Sequence, residues 1–182
     1  MSTSSGNLPP TFDRADGHAV FPNTDHDETA RLNFLTGLNV HIGRELSPGV
    51  RAAYEQRVRP SFAKTHGKDP STATDVRKAM LDDPYYQQWA ALRRSTQEAS
   101  QQVSREVALR RVDTLSEAAK ALNDGRNTLF LNLDVEIPSY QAAVDNHLMP
   151  GSYYTEAKPD DVTAAATYEV SLFPIGGASF GP

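Results

Sequence analysis

A chain of 182 residues can bury a core of its own, and its complete lack of cysteine excludes disulfides, zinc–thiolate sites, iron–sulfur clusters and thiol nucleophiles and fits a reducing compartment. The net charge of −5 is uneven: residues 1–30 hold five acids against Arg14, residues 31–133 hold sixteen Lys and Arg against eleven acids, and residues 134–182 hold seven acids against Lys158. A basic middle between acidic ends is expected to neutralise itself in the fold, and no basic stripe carries the interleaved aromatics that would make nucleic acid an expected partner.

Residues 1–23 are rich in Ser, Gly, Asn and Pro and read as a disordered or loosely draped arm, which Phe12, Val20 and Phe21 are able to pin to the body. The first ten residues lack the basic start and apolar stretch of a signal peptide, and no apolar run reaches the ~20 residues of a membrane helix. A soluble, cytoplasmic protein with no membrane partner is expected. Thr24-x-x-Asp27 and Asp25-x-x-Glu28 resemble capping boxes, so a helix starts near residues 24–25. Leu32, Leu35, Leu38, Ile42 and Leu46 form its apolar stripe, with His41 beside it, and Gly37 and Gly43 are placed to let a neighbour approach closely.

Ser47-Pro48 reads as a fresh helix start, followed by Val50, Tyr54 and Val58, and Pro60 is expected to kink or end that helix. Thr72-x-x-Asp75 caps a short helix through Val76, Met80 and Leu81, and Asp83-Pro84 opens the longest helical pattern in the chain. Trp89, Leu92, Thr96, Ala99 and Val103 hold one face of it. A second stripe, Val112, Leu115, Ala119 and Leu122, is out of phase with the first, so the helix slips or restarts at Thr114-x-x-Glu117, and Asn123-Asp124-Gly125 stops it. Arg93, Arg94, Gln97, Gln101, Gln102, Arg105, Arg110 and Arg111 read as a solvated face, with Arg93 or Arg94, one turn from Trp89, as the alternative lining of an anion-binding cleft. Thr128–Leu133 is a strand or a buried helical turn, residues 139–146 a short helix with Tyr140 and Val144 inward, Pro150-Gly151 a turn, and Pro159-Asp160-Asp161 the start of a last helix through Val162, Ala165, Ala166 and Glu169. The sum is all-α: a single helical domain over 24–173 of about five to seven helices, at most a minor hairpin, a disordered arm over 1–23 and a tail over 174–182.

Neither GxGxxG nor GxxxxGK[ST] occurs, nor do HExxH and GxSxG, and the five histidines lack metal-ligand spacing. No cofactor and no metal is expected. The candidate site lies around the Pro150-Gly151 turn. Folding back there brings His147, Asp145, Glu156 and Tyr154 together for acid–base chemistry, with Tyr153 to orient a substrate; Trp89, Arg93, Arg94 and His41 are further candidate substrate-binding residues. The bland alternative has Asp145 and His147 capping helices and the tyrosines filling the core.

Asp145-Asn146-His147-Leu148-Met149-Pro150-Gly151-Ser152-Tyr153-Tyr154-Thr155-Glu156, followed by Pro159-Asp160-Asp161-Val162 and Ala164-Ala165-Ala166-Thr167-Tyr168, resembles the N-terminal helical region of a group of bacterial class I S-adenosylmethionine-dependent methyltransferases. Asp83-Pro84-Tyr85-Tyr86-Gln87-Gln88-Trp89, with Leu92, Arg93, Ser95, Thr96, Gln97 and Glu98, is similar to an earlier block of that region, and the likeness covers most of residues 28–170. In that family a Rossmann-like methyl-donor domain follows; nothing here resembles its Gly-rich loop, and Tyr154 stands where the family's turn motif has a second histidine. The resemblance implies a stand-alone substrate-side helical domain that binds a small organic substrate, or a partner such as a separate methyltransferase subunit, in a bacterial biosynthetic pathway. Two other readings stay open: an enzyme using His147 with Asp145 or Glu156, and a structural module that forms a homodimer.

Overall fold

A computed structural model describes residues 12, 17–125, 132, 134–159 and 161–177. Among them every regular element is helical and no strand forms, so the fold is all-α. The elements are α1 (His26–His41), α2 (Ser47–Ala53), α3 (Arg59–His66), α4 (Ala73–Met80), α5 (Pro84–Arg110), α6 (Val112–Asn123), α7 (Ser139–Ala142) and α8 (Thr163–Ile175), with π-helical turns at Ile42–Leu46 and Tyr54–Val58 and a 3₁₀ turn at Asn146–Leu148. The chain gathers into two compact units: one is Leu38–Thr96, the other takes the residues up to Gly37 and those from Gln97 onward.

The expected restart at Ser47-Pro48 and break at Pro60 do not occur. Helical backbone runs without interruption from His26 to His66, and each proline is preceded by a π turn. Proline has no N–H for the carbonyl four residues back, and its ring collides with that carbonyl. In the wider π turn the residue ahead of each proline donates five residues back instead: Ser47 N–H to Ile42 O and Arg59 N–H to Tyr54 O. The Ser47 hydroxyl donates to the Ile42 carbonyl as well (2.9 Å) rather than capping a new helix. The helix ends at Gly67, in the left-handed conformation.

Within Leu38–Thr96, the Thr72/Asp75 capping box forms as the sequence predicts, each side chain accepting from the other's backbone N–H. Asp83 opens α5, its Oδ1 accepting from the N–H groups of Tyr85 (3.0 Å) and Tyr86 (3.1 Å). The same buried carboxylate accepts from Arg57 Nε (3.0 Å) and Nη2 (2.8 Å). Burial pulls this carboxyl upward, but the Arg57 hydrogen bonds and charge and the two N–H groups outweigh it and hold it below the ordinary carboxylate value. Ala53, Val58 and Met80 form the core, packed by Val50, Tyr54, Val76, Tyr85 and Tyr86. The Tyr85 ring lies directly on Gly49, where its hydroxyl donates to the Leu46 carbonyl (2.8 Å). Gly37 and Gly43, by contrast, have no neighbour within 4 Å of a modest added side chain among the described residues, so the close approach expected of them is absent.

In the other unit, α1 is capped by Asp25 and Glu28, each accepting the other's backbone N–H at 2.8 Å. Glu28 also takes a two-pronged hydrogen bond from Arg110 at the far end of α5, so Arg110 is a clamp and not part of a solvated face. Gln101 departs from that face too, being wholly buried. Phe12 is buried against Leu32, Val170 and Phe173, stacked on Phe21 (5.8 Å) and edge-on to Phe173 (5.3 Å). A second cluster joins Ala108, Leu115 and Ala166. The break between α5 and α6 falls at Arg111 (φ −112°, ψ 7°), ahead of Thr114: the Arg111 N–H donates to Ala108 O and its carbonyl accepts the first bond of α6 from Leu115 N–H. Tyr140 and Val144, expected inward, are 77% and 61% exposed: α7 is a single turn with no buried residue and, among the described residues, no apolar surface covering it. The last helix starts later than Pro159, where Asp161 accepts from Thr163, Ala157 and Lys158 N–H groups. Thr128–Leu133 lies, except for Asn132, outside the described residues, as do Asp160, most of the 1–16 stretch and the end of the tail.

Two predictions follow from these contacts. Gly49→Ala drives a methyl group into the Tyr85 ring and lowers stability by about 1–3 kcal/mol in urea unfolding, whereas Gly37→Ala raises it by up to about 1 kcal/mol. For Asp83, whose folded carboxyl titrates below the ordinary 3.8, the unfolded chain takes up the proton first as the pH falls. The stability it contributes is therefore present above that value and lost below it, and Asp83→Asn lowers the urea midpoint at neutral pH and flattens the acid limb of its pH profile.

Candidate functional site

The segment around Pro150-Gly151 folds as two tight turns. Asn146–Leu148 closes through Leu148 N–H to Asp145 O and Met149 N–H to Asn146 O, and the next turn through Ser152 N–H to Met149 O (2.8 Å). His147 (φ 54°), Leu148 (φ 58°), Gly151 (φ 78°) and Ser152 (φ 53°) all take left-handed backbone. Glycine does so freely and histidine with modest cost, but leucine costs on the order of 1–2 kcal/mol there. Burial of Met149 and the hydrogen bond from Gln97 Nε2 to the His147 carbonyl (2.9 Å) hold the strained pair in place.

The product is an aromatic cluster. His147 Nδ1 and the Tyr153 hydroxyl are hydrogen-bonded, and their rings meet edge-on at 5.8 Å. Tyr168 from α8 stacks on His147 (6.2 Å) and meets Tyr153 edge-on (5.4 Å). Burial first, and then the neighbouring Tyr168, push the Tyr153 phenol above its ordinary value. Asp145 and Glu156 are exposed, and neither is hydrogen-bonded to His147. Tyr154, next in sequence to Tyr153, turns the other way and donates to the Ala142 carbonyl (3.3 Å). Of the five residues expected to converge, the structure joins His147 and Tyr153, adds Tyr168, and leaves out Asp145, Tyr154 and Glu156.

Trp89, Arg93, Arg94 and His41 belong to the Leu38–Thr96 unit. Trp89 alone of these lines a cleft of about 630 Å³ there. One wall is Ser47, Val50, Arg51 and Tyr54, the opposite wall Ala73, Val76, Arg77 and Met80, and Tyr86 with Trp89 complete it from α5. Both walls have i, i+3, i+4, i+7 spacing, with arginine at the third position of each. The indole N–H of Trp89 donates to Ser47 Oγ (3.0 Å), and the Tyr86 and Trp89 rings stack at 5.9 Å. Arg93 reaches Asn39 Oδ1 (3.5 Å) and His41 is exposed at the end of α1. The arginines on the cleft are therefore Arg51 and Arg77, which sequence reasoning missed although their stripes were readable.

Comparison of the chain with protein-family models, with curated proteins and with solved structures gives no match. Function rests on the geometry. Among the described residues no three His, Asp or Glu side chains group to hold a metal ion, and no strand offers the Rossmann-type cradle of a methyl donor. No helix among them is long and apolar enough to cross a membrane.

Spectrophotometric titration tests the aromatic cluster. One tyrosine ionises above the ordinary phenol value of 10, and Tyr153→Phe removes that component. Gly151→Ala forces an unfavourable φ and puts a methyl 2.8 Å from Thr155 Cβ, so it costs about 1 kcal/mol or more and moves the anomalous phenol back toward 10.

Proposed function

We propose that this chain is a binding protein for a small organic molecule, held in the cleft between α2 and α4. The carrying observation is the cleft itself: its volume suits a small ligand, its lining is mostly apolar and aromatic, and its few polar groups converge on it from two helices. The block Asp83–Trp89, similar to the substrate-side helical region of bacterial methyltransferases, supplies Tyr86 and Trp89 to this lining, which supports a substrate-binding helical domain of that kind in a biosynthetic setting. Acid–base catalysis at His147 has less support, since the imidazole is hydrogen-bonded to a phenol and neither Asp145 nor Glu156 reaches it.

Trp89 is the only tryptophan of the chain, so it reports directly on occupancy. Titration with a neutral solvatochromic dye such as Nile red is expected to quench Trp89 emission as the dye binds. Ala73→Phe, which fills the cleft from the exposed start of α4, is expected to weaken the dye by about tenfold with an unchanged urea midpoint. Dye binding that leaves Trp89 emission unaltered, or that Ala73→Phe does not weaken, places the binding site elsewhere.

A further inference from the structure

We propose that the ligand of this cleft is an aromatic carboxylate, an assignment that rests on the cleft being the binding site. Ten residues line it and none is acidic, while two, Arg51 and Arg77, carry guanidinium groups. Among the described residues neither guanidinium is in an ion pair, whereas Arg31, Arg57, Arg59 and Arg110 each hold a carboxylate. A second cleft of the same unit, about 800 Å³, shows the contrast: its Arg57, Lys68 and Lys78 face Asp75, Asp82 and Asp83, and it carries no surplus charge. An arginine keeps its charge at every physiological pH, and its planar fork matches a carboxylate through two parallel hydrogen bonds. The positive charge of the Trp89 cleft is thus unanswered from within the unit, and an anion answers it.

The rest of the lining says what body carries the anion. Val50, Val76 and Met80 offer no hydrogen bonds, and the Trp89 N–H is already committed to Ser47. A bare inorganic anion would leave this apolar surface in water. The Tyr86 and Trp89 rings lie within 29° of parallel, which suits a planar ring packed against them. A flat apolar body with one carboxylate directed at the two arginines satisfies both halves of the cleft.

Calorimetric titration of the full chain with naphthoate, naphthamide and naphthyl phosphate tests the assignment. Naphthoate is expected to bind about tenfold or more tightly than the neutral naphthamide, and to weaken as salt is added. Arg51→Gln and Arg77→Gln, both at exposed positions, are each expected to weaken naphthoate far more than naphthamide and so to remove most of that preference. Equal affinity for naphthoate and naphthamide, or failure of naphthoate where the neutral dye still binds, overturns the carboxylate and leaves the cleft standing. Tighter binding of naphthyl phosphate overturns it in favour of a phosphoryl group. Failure of the dye and of all three probes overturns the cleft as a site.

Discussion

Two prolines inside one helix set the terms for the Leu38–Thr96 unit. Pro48 and Pro60 each deny the backbone one i→i−4 hydrogen bond, and the chain answers both times by widening the preceding turn to i→i−5. An extra residue in a turn rotates everything after it by roughly one residue's step about the axis. The stripe Ser47, Val50, Arg51, Tyr54 therefore faces the cleft as one surface that begins where the first π turn ends.

The other anchor of the same unit is Asp83. One carboxylate satisfies two orphan N–H groups at the start of α5 and binds Arg57 from the second π turn. It thereby fixes the α5 start that carries Tyr86 and Trp89 to the cleft. Charge in the basic middle of the sequence is thus unequally used. Arg31, Arg57, Arg59 and Arg110 are absorbed by carboxylates within the fold, as overall self-neutralisation implies, while Arg51 and Arg77, one on each of two helical stripes, line the cleft without an acidic residue beside them in its lining.

Local chemistry was the legible part of this chain. The Thr72/Asp75 box, the Asp25/Glu28 box and the Asp83-Pro84 start each depend on residues three or fewer apart, and each forms as read. What failed depended on distant partners. Ser47-Pro48 carries a strong start signal, but the hydroxyl had a better acceptor in the Ile42 carbonyl behind it. Tyr140 and Val144 have the right spacing for an inward face but lie exposed among the described residues. Gln101 and Arg110 look like surface residues until packing buries one and Glu28 captures the other. At the candidate site the turn was legible from Pro150-Gly151, and the meeting of His147 with Tyr153 followed from it. Tyr168, brought in by α8, and the choice of Arg51 and Arg77 over Arg93 and Arg94 were set by tertiary placement that spacing alone does not contain.

The two units also differ in how they are threaded. Leu38–Thr96 is continuous, while the other unit closes early residues onto late ones: Phe12 and Leu32 on Val170 and Phe173, His18 on Glu169 across 151 positions. During synthesis the inserted unit emerges whole and is free to fold, whereas Phe12, Phe21 and Leu32 leave the ribosome long before α8 exists. Until that helix is made, Phe12 and Leu32 lack Val170 and Phe173, two of the residues they close against. The Phe12–Leu32–Val170–Phe173 cluster therefore cannot be completed until α8 is made, whereas every residue of Leu38–Thr96 is by then already in place.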